Sequence, residues 1–119
     1  MAEYIEPLDR PPEYRSETTE CVVPWGNSTT KAFITLSFDE DNFVREVFAT
    51  AGKAGSELAA MTEAACRAGS LMMRFGIDPH VIADAWAGIK SGPVGFSGSG
   101  ENYLSVPDAI AKVIRKAIE

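Results

Sequence analysis

Residues 31–70 read KAFITLSFDEDNFVREVFATAGKAGSELAAMTEAACRAGS, and the fold class follows from how this stretch changes its period. From Lys31 to Phe38 apolar and polar residues alternate. Ile34, Leu36 and Phe38 fall on one side and Phe33, Thr35 and Ser37 on the other, the period of a β-strand. Asp39-Glu40-Asp41-Asn42 reverses the chain, and Phe43 to Ala49 returns as a second strand. Gly52-Lys53-Ala54-Gly55-Ser56 then leads into a helix predicted from Ser56 to Phe75. Its buried stripe is expected to run through Leu58, Met61 or Thr62, Ala65, Gly69 and Met72.

Working outward, Thr18 to Trp25 has strand composition, with Pro24 placing it at a sheet edge or ending it. Gly26-Asn27-Ser28 turns it back toward Lys31, so three short-connected strands predict an antiparallel meander. Beyond the long helix, Gly76 sits where a left-handed cap is favoured. Asp78 caps a second helix with Pro79 in its first turn and Val81, Ile82, Ala85, Trp86 and Ile89 as its stripe. Residues 90–104, KSGPVGFSGSGENYL, form a glycine- and serine-rich connection, long for so small a domain. Ser105-Val106-Pro107-Asp108 opens a last helix with a capping-box-like spacing, and Ile110, Val113, Ile114, Ala117 and Ile118 give it an apolar face. The expected fold is α+β: a three-stranded antiparallel meander packed on three helices. Residues 1–16, with four acidic residues and Pro7, Pro11 and Pro12, read as an extended N-terminal arm, and residues 17–119 as a single domain.

Composition narrows the function classes. A chain of 119 residues that is 45% hydrophobic fits one globular domain. Its net charge of −6 and pI near 4.8 disfavour direct binding to a nucleic-acid polymer, whose phosphates need a basic footprint. No apolar run is long enough to span a membrane, and MAEYIEPLDR lacks the apolar core of a secretory signal. Cys21 and Cys66 alone do not make a disulfide scaffold. A cytoplasmic protein is the expectation.

The strongest site candidate is the junction Gly52, Lys53, Gly55 and Ser56. Helix N-terminal amides with a nearby lysine can hold a phosphate or carboxylate, although a tight strand-to-helix turn capped by serine needs the same residues. It is not a Walker A loop, because the first glycine and the lysine–serine order are missing. Arg67 and Arg74 lie two helical turns apart on one face, and with Lys53 and Lys90 could surround an anion, although surface pairing to glutamates is the commoner fate of such arginines. The loop Gly92–Gly100 would add Ser97 and Ser99 as donors if it closed over a ligand. His80, the only histidine, has no second ligand nearby and reads as a polar residue in a first helical turn. Cys66 among alanines reads as a buried thiol, and Asp39 to Asn42 as a solvated turn rather than a calcium loop. Trp25 and Trp86 read as core or interface anchors.

In order and spacing, Arg45-Glu46-Val47-Phe48, Gly52 to Ser56, Arg67 with Ser70, Phe75-Gly76-Ile77, and Ser105-Val106-Pro107-Asp108 followed by Ala109-Ile110-Ala111 resemble the TSCPD domain. This is a small α+β module found at the C-terminal end of vitamin B12-dependent ribonucleotide reductases and sometimes alone. The likeness covers roughly residues 15–118. The family usually carries cysteine in the segment matching Gly88-Ile89-Lys90-Ser91 and inside its Ser-Cys-Pro-Asp motif; here Ser91 and Val106 stand instead. The resemblance implies the fold and an association with nucleotide metabolism, and no reaction. No acid–base pair, nucleophile–base pair or metal cluster is readable, so the chain is expected to be non-catalytic and to need no cofactor. Two readings follow. One is a small domain that binds a nucleotide-like or other anionic small molecule, as a free-standing sensor or sponge. The other is an interaction module, a homodimer or larger homo-oligomer, regulating a partner such as a reductase.

Overall fold

The computed structural model describes residues 6–91 and 102–119. Three strands, β1 (Arg15–Trp25), β2 (Ser28–Phe38) and β3 (Val44–Ala51), precede three helices, α1 (Glu57–Arg74), α2 (Pro79–Trp86) and α3 (Val106–Ile118). The sheet is antiparallel in the order β1-β2-β3. Pro24 stands on the edge strand β1, opposite Thr29, the place where a missing ladder donor is tolerated. The expected meander on three helices is therefore the architecture found, with β1 starting at Arg15, inside the stretch read as arm.

Register decides which side chains meet. Cys21, Ala32 and Ala51 form one cross-strand row, and Leu36 stands opposite Val47. These residues and Ile34 are buried on the face that turns toward the helices. Helix α3 crosses that face and touches all three strands, α2 packs on α3, and α1 packs on β3. Ile110 and Ile114 of α3 are fully buried, as their spacing predicts.

Helix α1 lies along the free edge of β3; of the expected stripe Gly69 and, of the pair Met61 or Thr62, Thr62 are buried, with Cys66 and Met73 in place of Ala65 and Met72. Met61 is 62% exposed. The reason is hydrogen bonding. The Ser70 hydroxyl donates to the Val47 carbonyl (2.8 Å) and accepts from the Val47 N–H (3.0 Å), and Cys66 takes a hydrogen bond from the backbone of Ala49. Four helical residues rise about 6 Å and two strand residues about 6.7 Å, so side chains at positions 66 and 70 keep step with alternate edge groups. The helix thereby closes an edge that would otherwise offer a template for aggregation.

The second helix stops at Trp86, one turn short of the expected Ile89. The chain leaves it through Ala87 in extended geometry and Gly88 at φ +84°. The arm is tied down. The Leu8 N–H donates to the Arg74 carbonyl at 2.7 Å, and the Arg74 guanidinium donates back to the Leu8 carbonyl at 3.3 Å. Arg10 holds the buried Glu46 carboxylate in a two-pronged pair at 2.6 and 3.0 Å. Among the described residues no buried side-chain polar atom lacks a partner.

Candidate functional site

The glycine-rich junction folds as a compact turn. Gly52 and Gly55 take φ of +73° and +82°, left-handed values that a side chain would strain. The Ser56 N–H donates to the Lys53 carbonyl, and the Ser56 hydroxyl accepts from the Ala59 N–H at 3.1 Å, which is the N-cap bond of α1. The capping role read from the sequence is thus formed, and Lys53 stands exposed beside it with no ion pair to any described residue.

Beyond this turn a groove of about 560 Å³ runs between β3 and α1. Gly52 lines one end of it. Phe48 and Thr50 line the strand side, and Glu63, Cys66 and Arg67 the helix side. Phe48 faces away from the core by strand alternation with Val47, and its ring is half exposed. Arg67 and Glu63 are exposed and paired only loosely, at 3.5 Å across one helical turn. Gly52 and Arg67 are therefore brought together, and Lys53, Gly55 and Ser56 sit at the groove's end without lining it. Lys90 lies past the end of α2, away from the groove. Ser97, Ser99 and the Gly92–Gly100 loop lie outside the described residues. Sequence reading missed Phe48 and Glu63. Phe48 could have been found from its outward place in the alternation beside the junction, whereas Glu63 carried no signal apart from its helical spacing to Arg67.

The groove holds little that could transfer a proton. Burial pushes the Cys66 thiol up to about 11, against a smaller opposing effect of the Ala49 hydrogen bond. The folded protein is therefore expected to leave Cys66 unmodified by a thiol-specific reagent at pH 8, and unfolding in denaturant to expose it; rapid labelling of Cys66 under native conditions would contradict the packing described. His80 sits on the exposed side of α2 with its Nε2 3.2 Å from Asp84, on a face apart from the groove. Arg115 first of all, with His80 adding to it, holds the Asp84 carboxyl below the usual range. Among the described residues no three His, Cys, Asp or Glu side chains gather as a metal site, and no helix is long and apolar enough to cross a membrane.

A second polar centre lies at the start of α3. The Asp108 side chain is 1% exposed. It accepts from the Gly88 N–H (2.8 Å), the Leu104 N–H (2.9 Å) and Lys112 (2.8 Å). Ser105 caps the helix by accepting from the Asp108 N–H at 3.1 Å and donates its own proton to the Ile89 carbonyl at 2.6 Å. Only the serine half of the expected capping box forms, because the carboxylate is drawn across to Gly88 instead of back to Ser105. Together with the Ser91 N–H on the Leu104 carbonyl, these bonds fasten the chain on both sides of residues 92–101. Ser91 and Val106, the positions where the resemblance leads one to expect cysteine, both line an apolar cleft of about 120 Å³ beside Trp25 and Met61.

Comparison with known proteins is consistent with this arrangement. No curated protein and no solved structure matches the chain. A family model described as the TSCPD domain matches residues 5–118, which takes in the meander, the junction, the groove and the Ser105-Val106-Pro107-Asp108 segment. The chain belongs to the TSCPD domain family.

Proposed function

We propose that this protein is a non-catalytic binding domain for a nucleotide-like anion, with the groove between β3 and α1 as its site. The observation that carries this reading is the pairing of an exposed aromatic ring, Phe48, with an accessible guanidinium, Arg67, on opposite walls of one groove. Its volume of about 560 Å³ falls within the range of small-molecule sites. A base can stack on the Phe48 ring, and Arg67 offers the planar fork that suits phosphate. Glu63 can accept from a base amine or a sugar hydroxyl once Arg67 turns to the ligand. With a net charge of −6 on the chain and Arg67 as the one cation among the described residues that line the groove, the site favours one or two phosphates over a polyphosphate. A sensor or a sponge for such a compound is the role that fits a groove built for stacking and charge pairing.

Thermal melting with a panel of mononucleotides and dinucleotides at about 1 mM tests this. A ligand at a hundred times its Kd stabilises by about 2.7 kcal/mol, a shift of several degrees. Arg67→Ala and Phe48→Ala are each expected to weaken binding by at least about tenfold. Neither exposed side chain supports the core, so the unliganded melting temperature should change little. A panel that shifts nothing, or shifts that survive both substitutions, would remove the groove as the site.

A further inference from the structure

Opposite its buried face, α1 presents a second apolar stripe. Met61, Leu71 and Phe75 are 62%, 50% and 38% exposed, and Ala64 and Ala68 between them are exposed as well. Positions 61, 64, 68, 71 and 75 alternate steps of three and four, the spacing of a helix–helix seam. This stripe lies about 200° around the helix from Thr62, Cys66, Gly69 and Met73, which face β3.

We infer that this face of α1 pairs with the same face of a second copy of the chain, the two helices antiparallel about a two-fold axis between Ala64 and Ala68. Two features select a copy of this chain over another partner. The seam is self-complementary in size. Read outward from its centre it is small then large in both directions, so Ala64 meets Ala68 of the other copy and Met61 meets Leu71, as an isologous contact requires. It is also self-complementary in charge. The charged residues of α1 are Glu57 and Glu63 in its first half and Arg67 and Arg74 in its second, so antiparallel pairing sets acidic half against basic half and opposes the helix dipoles. Parallel pairing would set like on like. The two alanines let the helix axes approach closely at the crossing. Five side chains along one helix make a small interface, so the dimer is weak, with a Kd of about 10–100 μM.

Sedimentation velocity on the full chain from about 1 to 500 μM reads the equilibrium. Ala68→Glu places a charge in the seam and is expected to weaken association by at least about tenfold. Its melting at low concentration should match the parent, because Ala68 is exposed in the single chain. Orientation is read by mixing chains carrying Ala64→Cys with chains carrying Ala68→Cys under mild oxidation. The antiparallel seam gives mainly the mixed covalent dimer, against a background kept low by the burial of Cys21 and Cys66. A chain monomeric throughout the range, a dimer indifferent to Ala68→Glu, or predominance of like-with-like crosslinks would each overturn the inference. Ala68 does not line the groove of β3 and α1, and Phe48 lies on β3 outside the seam, so Ala68→Glu and Phe48→Ala separate a failure of dimerisation from a failure of nucleotide binding.

Discussion

Replacing Asp108 with alanine is expected to lower the stability of the domain by about 4 kcal/mol, because two backbone N–H groups in part-buried bonds lose a charged acceptor at once. Those groups, on Gly88 and Leu104, belong to segments far apart in sequence, and no other described side chain bonds to either of them. Lys112 would keep its bond to the Asn102 carbonyl but lose its carboxylate partner. For a domain of this size the loss corresponds to a drop of roughly 15 °C in melting temperature. Asp108→Asn should lie about halfway, since one amide oxygen can serve one N–H while the amide nitrogen faces the other donor. Equilibrium denaturation of both variants checks the order. An alanine variant within about 1 kcal/mol of the parent would mean that water takes over the two donors, and that the centre does not fasten the start of α3.

The same centre carries a pH signature. Burial alone would raise the Asp108 carboxyl, but the Leu104 N–H, Lys112 and the Gly88 N–H together outweigh it, and the group ends below the usual aspartate range. A carboxyl whose folded value is depressed contributes stability above its unfolded value, near 3.9, and loses it as pH falls through the folded value. The parent should therefore lose stability on acidification below about pH 4 more steeply than Asp108→Asn. Asp39 and Asp84 are depressed too, but they are common to both proteins, so the difference between the two curves isolates Asp108.

Much of the fold was legible in particular residues. The alternation of Ile34, Leu36 and Phe38 set the register of β2. Asp78 with Pro79, and Ser105 with Pro107, marked helix starts to the residue, because caps are local chemistry written in a few adjacent positions. What escaped was chemistry between distant segments. Cys66 reads from the sequence as a buried thiol and is one, but that it and Ser70 bond the backbone of β3 and close its edge emerges only when the strand lies beside them. Asp108 reads as half of a capping box, yet most of its bonding goes to Leu104 and Gly88. In the candidate site, Gly52 and Arg67 were singled out from the sequence and do share a groove. Phe48, which faces them, carries a sequence signal in its outward place beside the junction, but only the position of α1 turns that place into a groove wall.

Gly69 of α1 packs closely against Trp86 and Val47, and Gly69→Val is expected to destabilise the domain by about 3 kcal/mol. A Cβ at this position would stand 3.1 Å from the Cη2 atom of Trp86 and 3.3 Å from a methyl of Val47, distances that oblige a neighbour to move. Helix propensity alone predicts the opposite sign, since leaving glycine in a helix interior gains up to about 1 kcal/mol. Gly69→Ala sets these two effects against each other and should come out near neutral, whereas valine adds two methyl groups toward a ring and a strand that cannot both retreat. The origin of the cost can be located with a double-mutant cycle. Trp86→Phe removes the far edge of the ring that meets the new Cβ, so Gly69→Ala in that background should recover most of the propensity gain. If Gly69→Val melts within a degree or two of the parent, α1 can shift outward from β3 without losing the Ser70 bonds. If alanine is equally costly beside tryptophan and phenylalanine, the strain lies against Val47, and the spacing of helix and strand, rather than the packing of α2, sets the requirement for glycine.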